Sequence, residues 1–224
     1  MRRIILLAAT MALTLLVASG IALAVTKIGT DGPDTLRGTS GADNLLGRGG
    51  NDDLFGFGGR DNLLGEEGKD WVLGGNERRP LGGDKNLVGG PGNDGVIAGE
   101  GSDNLTDSSG NDFLDGAPGP DNIVGGDGND LLVDGEGEGG ATDILTAGDG
   151  NDVINPFNRR LAKRDVVTCG GGFDRVLADR ADVVAPDCER VAVGLAAAER
   201  LNQRIEESGF YDRIFEGLAP FPGG

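Results

Sequence analysis

Aspartates recur at a fixed interval through the middle of the chain, and each is followed two positions later by Leu, Ile or Val. Glycine stands two positions before twelve of the fourteen members. Aspartates among glycines present carboxylate and backbone carbonyl oxygens, which are the ligands that hard divalent cations prefer. The spacing therefore points to repeated cation binding. The full series is Asp34, Asp43, Asp52, Asp61, Asp70, Asp94, Asp103, Asp112, Asp121, Asp130, Asp143, Asp152, Asp165 and Asp174.

The period of nine residues fits neither an α-helix nor a collagen triplet. It divides into a glycine-rich turn and a short strand, since glycine reaches the backbone angles of tight turns at little cost. Because side chains alternate between the faces of a strand, the aliphatic residue of each repeat points inward and its neighbours point outward. Two repeats form one coil of about 18 residues, and stacked coils form a parallel β-solenoid.

Stacking the coils places the aspartates in two columns, one along each edge of the solenoid. Asp34 and Asp52, for example, fall on adjacent coils, and neighbouring strands lie about 4.7–4.9 Å apart. Like charges at this distance repel by a few kcal/mol per pair at an effective dielectric constant of about 20. A counter-ion is therefore required. Ca²⁺ fits, because Mg²⁺ demands a stricter octahedron and softer metals lack histidine and thiolate ligands here.

One inward aliphatic residue in each repeat buries too little apolar surface to fold the chain by itself. Its burial contributes roughly 1.5–3 kcal/mol, whereas ordering the backbone costs about 1–2 kcal/mol for every residue. Metal binding must therefore contribute to folding. The sequence predicts a chain that is disordered without calcium and forms a solenoid when several Ca²⁺ ions are bound.

The composition limits the classes of function. Glycine accounts for 43 of the 224 residues, acidic residues outnumber basic ones by 37 to 20, and histidine is absent. The net charge of −17 predicts no binding to nucleic acid or to anionic membranes. The absence of histidine removes Ser-His-Asp catalysis and H-E-x-x-H zinc sites, so we expect no enzyme activity. A solvated, disordered acidic chain is the alternative for such a composition.

Residues 1–24 have the pattern of a secretory signal peptide, with Arg2 and Arg3, a long uncharged stretch, and a small-x-small motif that ends at Ala24. An uncleaved membrane anchor is the alternative, since the uncharged stretch is long enough to span a bilayer. The predicted location is therefore secreted, extracellular or at the cell surface, with membrane contact only if this segment is uncleaved.

Three nonapeptides carry the repeat most completely: GGPGNDGVI (Gly89 to Ile97), GGDGNDLLV (Gly125 to Val133) and AGDGNDVIN (Ala147 to Asn155). Their pattern, G-G-x-G-x-D-x-U-x, resembles the nonapeptide of repeats-in-toxin (RTX) proteins. The resemblance covers about residues 29–155. It implies an all-β, right-handed parallel β-roll, or β-helix solenoid, with Ca²⁺ held between its turns by backbone carbonyls and aspartates. The aspartates expected as metal ligands are Asp34, Asp43, Asp52, Asp61, Asp70, Asp94, Asp103, Asp112, Asp121, Asp130 and Asp152.

Departures from the pattern carry predictions of their own. Residues 74–88 are too long for one repeat, and no calcium is expected at Lys85, which stands where an aspartate belongs. Residues 134–146 are four residues too long and are expected to bulge. In the first block, which consists of the five repeats that carry Asp34 to Asp70, other residues replace the second glycine of the pattern. This replacement predicts weaker metal sites. The replacing residues are Thr30, Thr39, Arg48, Phe57 and Glu66.

The C-terminal third keeps the spacing loosely. Cys169 and Cys188 are the only cysteines, and in a secreted chain an even count favours a disulfide, with two free thiols as the alternative. We expect this segment to cap the solenoid and to be followed by a short helix or a loose tail. The predicted organisation is a signal peptide (1–24), a calcium-binding β-roll (25–155), degenerate repeats with a disulfide cap (156–191) and a tail (192–224).

These features favour a secreted, non-catalytic calcium-binding protein with a structural, surface or adhesive role. Its expected partners are calcium ions and, at the cell surface, a polysaccharide or a protein. A basic cluster at residues 159–164 is either a solvated loop or a docking site for acidic polysaccharide. A secreted hydrolase accessory is a second hypothesis, because RTX repeats often accompany a protease or lipase domain. A third hypothesis is a solenoid adhesin that folds without metal.

Overall fold

The computed structural model describes residues 23–76, 83–84, 86–135, 141–156 and 163–194, together with Arg200, Gln203 and Arg204. Within this part of the chain the regular structure is almost entirely β, and the strands are short because glycine-rich turns interrupt them at regular intervals. Successive strands alternate between two parallel sheets. This arrangement is the predicted β-solenoid, and it has about eight turns.

The odd-numbered strands form one sheet, in the order in which they occur along the chain. They are β1 (Thr26–Ile28), β3 (Asn44–Gly49), β5 (Asn62–Glu67), β7 (Asn86–Val88), β9 (Asn104–Thr106), β11 (Asn122–Asp127), β13 (Ile144–Gly150), β15 (Val166–Gly172) and β17 (Val183–Val184).

The even-numbered strands form the second sheet, again in chain order. They are β2 (Thr35–Arg37), β4 (Asp53–Phe57), β6 (Trp71–Asn76), β8 (Gly95–Glu100), β10 (Phe113–Asp115), β12 (Leu131–Val133), β14 (Val153–Asn155), β16 (Arg175–Ala178) and β18 (Arg190–Val193).

The register between coils confirms that two repeats make one turn. Asn44 pairs with Asn62, and equivalent aspartates on adjacent coils are 18 residues apart. At the first interruption Asn62 pairs with Asn86 over 24 residues. At the second, Asn122 pairs with Ile144, and the coil length rises to 22 residues. The extra residues therefore leave the sheet register intact. Residues 77–82, Lys85, 136–140 and 157–162 lie outside the described residues.

The core is one column of inward-facing side chains between the two sheets. Apart from Leu87, which stands three positions after Asp84, its central members are the aliphatic residues two positions after the aspartates, and nearly all of the core residues are completely buried. The alternation of side chains along each strand produces this result. The central members are Leu45, Leu54, Leu63, Val72, Leu87, Val96, Leu105, Leu114, Ile123, Leu132, Leu145, Ile154, Val167 and Val176.

The C-terminal end of the solenoid is closed by a disulfide between Cys169 and Cys188, whose Cα atoms are 5.2 Å apart. Cys169 lies on β15 and is completely buried in the core. The predicted disulfide is confirmed. Both sheets continue through this segment as far as β17 and β18, so the degenerate repeats belong to the same solenoid.

The predicted C-terminal helix stays a prediction, because nearly all of residues 195–224 lie outside the described residues. Among the residues that are described, no helix has the length and apolar character needed to cross a membrane.

Candidate metal sites along the solenoid edges

Two columns of carboxylates run along the edges of the solenoid, at the points where the turns enter the strands. In each column the backbone N–H of one aspartate donates to the Oδ1 atom of the aspartate on the next coil. The N···O distance is 2.8 Å from Asp43 to Asp61 and 2.8 Å from Asp94 to Asp112. One oxygen of each carboxylate therefore ties two coils together.

We call the two sets the odd column and the even column, after the strands that follow them. The odd column consists of Asp43, Asp61, Asp84, Asp103, Asp121, Asp143, Asp165 and Asp182. The even column consists of Asp34, Asp52, Asp70, Asp94, Asp112, Asp130, Asp152, Asp174 and Glu189.

The second carboxylate oxygen, Oδ2, is the feature that points to a ligand. In many members of the columns it is buried and makes no hydrogen bond to the protein. A buried charge without a partner costs several kcal/mol, so these oxygens require a cation or a proton. Among the described residues they belong to Asp52, Asp61, Asp70, Asp94, Asp103, Asp112, Asp121, Asp130, Asp152 and Asp174.

Backbone carbonyl oxygens lie beside these carboxylate oxygens, because the first glycine of each repeat brings them close. A Cβ added to Gly125 would lie 2.6 Å from Oδ2 of Asp130 and 2.6 Å from the carbonyl oxygen of Ala147 on the next coil. At Gly38 the corresponding distances are 2.5 Å to Asp43 and 2.7 Å to Gly56. A side chain would fill this space, and the oxygens around it are the donors that calcium prefers.

A comparison with protein families identifies the repeat. The RTX calcium-binding nonapeptide repeat (4 copies) matches residues 28–63, 55–77, 88–123, 97–132, 115–138 and 139–155, which together cover more than half of the chain.

This chain belongs to the RTX calcium-binding nonapeptide repeat family.

The RTX repeats and the solenoid are those of a calcium-binding β-roll protein. A search of the curated proteins finds no significant match.

Burial raises the pKa of many of the RTX aspartates in both columns. The pKa of Asp61 rises to about 6 and that of Asp121 to about 9, mainly because burial removes water from the charged form and also because neighbouring aspartates repel it. The hydrogen bond from the neighbouring backbone N–H acts in the opposite direction and is too weak to compensate. A bound cation would reverse this balance, since an adjacent positive charge favours the ionised carboxylate.

The structure places all eleven predicted ligands in the two columns, although nothing in it tests their binding of metal. Asp34 and Asp43 differ from the others, because a threonine stands at the second glycine position of their repeats. The N–H and hydroxyl of Thr30 donate to Oδ2 of Asp34 at 2.6 and 2.9 Å. Those of Thr39 donate to Oδ2 of Asp43 at 2.5 and 3.1 Å. Oδ2 of Asp34 is therefore satisfied by the protein, and so are both oxygens of Asp43, whose Oδ1 accepts the N–H of Val25 at 2.6 Å.

Three other residues at the second glycine position keep the turn that glycine would form. Arg48, Phe57 and Glu66 have positive φ angles of 85°, 76° and 74°. Residues with a Cβ adopt this conformation only at a cost of roughly 1–2 kcal/mol. The turns of the first block therefore retain the RTX geometry at some expense of stability.

Several members of the columns escaped the sequence-based assignment. Counting back from Leu87 puts Lys85 in the odd column, but Lys85 lies outside the described residues, and it is the carboxylate of Asp84 that accepts the N–H of Asp61. Glu189 ends the even column by accepting the N–H of Asp174 at 2.8 Å. Irregular spacing hides both residues, because each follows a coil that departs from 18 residues.

Asp107 and Asp134 were also missed, and each stands at the first glycine position of a repeat. Their side chains turn pairs of column aspartates into groups of three. The carboxylate oxygens in each group lie within 4.8 Å of one another, and all six residues are buried. The sequence signal that could have identified Asp107 and Asp134 is an acidic residue at the first glycine position of a repeat. The groups are Asp94, Asp107 and Asp112 in one case, and Asp134, Asp143 and Asp165 in the other.

Proposed function

We propose that this protein is a secreted, non-catalytic β-roll that folds when Ca²⁺ binds between its coils and that it has a structural or adhesive role outside the cell. The observation that carries the proposal is that each column contains a series of buried Oδ2 atoms without a hydrogen bond to the protein. Their burial favours folding only when a cation, or a proton, takes up the charge.

Location outside the cell is supported by three features. Residues 1–24 have a signal-peptide pattern, and a disulfide persists mainly in oxidising compartments. Extracellular calcium modules also bind at about 10⁻⁴–10⁻³ M, so a roll of this kind would stay open inside the cell and fold outside it. Recovery of the protein from culture medium, beginning at Val25, is the expected result. Retention in the membrane fraction would contradict export in this form.

The non-catalytic role is supported by composition. The chain has no histidine, which removes the commonest general base, and its buried acids are shared among equivalent positions in two repeating columns. An accessory role to a hydrolase predicts hydrolysis of casein, esters or polyuronates by the purified protein. We expect none.

The decisive experiment is far-ultraviolet circular dichroism of the purified protein, first in EGTA and then during addition of calcium. We expect a disordered spectrum in EGTA and a cooperative gain of β signal as calcium rises. Isothermal calorimetry run in parallel measures the heat and number of ions bound. A solenoid that folds without metal would have the same β spectrum in EGTA and in calcium, and that result would rule out the proposed role.

A further inference from the structure

We propose that Asp94, Asp107 and Asp112 form one calcium site of higher affinity than the regular repeat sites, and that it fills before them when calcium is added. This inference rests on the proposed function, because it ranks the sites of the same roll. Asp107 is not a repeat aspartate, since the RTX pattern has glycine at its position.

Asp107 is held in place by the turn that carries it. Its Oδ1 atom accepts the backbone N–H of Gly90 at 2.9 Å and that of Ser108 at 2.7 Å. These two bonds fix the carboxylate on the inner side of the turn, where it is only 4% exposed. In the coiled state the orientation of Asp107 is therefore set by the backbone of the turn.

The remaining oxygen of Asp107 points at the repeat site. A Cβ added to Gly89 would meet Oδ2 of Asp107 and would lie 2.8 Å from Oδ2 of Asp94. At most other repeats a backbone carbonyl oxygen of the next coil lies in this position. The Oδ2 atoms of Asp94, Asp107 and Asp112 are all buried and make no hydrogen bond within the described residues. At this site the negatively charged oxygen of Asp107 therefore joins or replaces an uncharged carbonyl oxygen as a metal ligand.

Charge makes this site distinct from its neighbours. Three carboxylates surround it, whereas at a regular position the column brings together two aspartates of adjacent coils. Lys69 is the cation whose charge reaches Asp94, and its effect on the pKa of Asp94 is smaller than those of burial and of the neighbouring acids. Affinity for calcium rises with the number of charged ligands, so this site should bind more tightly than the sites that have only two column aspartates.

The single tryptophan provides a local reporter. Trp71 pairs in register with Gly95, the residue after Asp94. A Cβ added to Gly95 would lie 2.9 Å from the Cη2 atom of the indole ring, so the ring covers this strand beside the site. Terbium, which takes the same oxygen ligands as calcium, emits when it is excited through a nearby indole.

The test is a titration of the full-length protein with Tb³⁺, followed by competition with Ca²⁺, using excitation of Trp71. Asp107→Gly restores the family residue, and Asp107→Asn keeps an oxygen for the N–H groups of Gly90 and Ser108. Asp127→Asn is the matched control, because it removes one exposed charge at the end of β11, on the coil next to the site. We expect both Asp107 variants to weaken the tightest step by about tenfold or more, and the control to leave it unchanged.

Equal titration midpoints in wild type and in both Asp107 variants would overturn the proposal. So would failure of Asp107→Asn to fold in saturating calcium, since that outcome assigns Asp107 a structural role. These outcomes are distinct from failure of the proposed function. If the proposed function is wrong, the wild type itself will show neither terbium emission nor a calcium-dependent change in circular dichroism.

Discussion

Acidification should fold the calcium-free protein, because protons neutralise the same buried oxygens that calcium would neutralise. In the coiled state burial raises the pKa of these carboxyls to about 6 or higher, whereas the ordinary pKa of an exposed aspartate is 3.8. Between these values the folded state binds more protons than the unfolded state, so stability rises as the pH falls. The buried residues concerned are Asp61, Asp70, Asp94, Asp103, Asp107, Asp112, Asp121, Asp130, Asp152 and Asp165.

The expected effect is large because many groups act together. Near pH 5 each of these carboxyls takes up about one proton on folding, which contributes about 1.4 kcal/mol of stability for every unit by which the pH falls. If about half of them behave independently, the free energy of unfolding changes by about 7 kcal/mol per pH unit. That change is comparable with the whole stability of a typical domain, about 5–15 kcal/mol. The transition should therefore be complete within about two pH units.

The assay is circular dichroism of calcium-stripped protein between pH 8 and pH 5. We expect a disordered spectrum at pH 8 and a β spectrum at pH 5. A high concentration of NaCl at pH 8 is the control, because salt screens buried charges poorly and should not induce folding. A disordered spectrum throughout the range would refute the idea that buried negative charge keeps the metal-free roll open.

Three further changes test the turns and the disulfide in saturating calcium. Gly125→Ala should destabilise the roll by about 2–3 kcal/mol, because the added Cβ would lie 2.6 Å from two oxygens. Gly32→Ala, whose Cβ would meet nothing closer than 4.0 Å, should change stability by less than about 0.5 kcal/mol. Glu66→Gly should raise the free energy of unfolding by about 1 kcal/mol by relieving a φ of 74°. Glu67→Gly, on the same strand without that strain, should lower it by about 0.5–1 kcal/mol. Reducing the disulfide, which joins residues 19 apart, should cost about 3 kcal/mol. Thermal or urea unfolding measures each change, and equal midpoints within either matched pair would contradict the account of the turns.

The regular part of the fold could be predicted from the sequence because its rules are local. Nine-residue spacing, glycine in the turn and one inward aliphatic residue are sufficient to predict the coil, the pairing of Leu45 with Leu63 and the burial of both. The two cysteines could be paired for a simpler reason, since there were no others. The predicted ligands follow from the same nine-residue spacing, and all of them lie in the two columns.

The exceptions required the structure. Asp84 stands in the odd column although counting selects its neighbour, because a longer coil breaks the phase that counting depends on. An aspartate can accept the N–H of Asp61, and a lysine cannot. The sequence also does not show that Thr30 donates two hydrogen bonds to Oδ2 of Asp34, since this depends on how the turn folds back on its own carboxylate.

The sequence by itself determined the period, the parallel coils and the acidic columns whose charge must be neutralised, because each is a consequence of which residue recurs at which interval. Only the tertiary structure decided which oxygens remain unpaired and where a third carboxylate joins two column members. Those features depend on contacts between coils, and residues such as Asp107 and Asp94, which are 13 positions apart in the chain, become neighbours only when the coils stack.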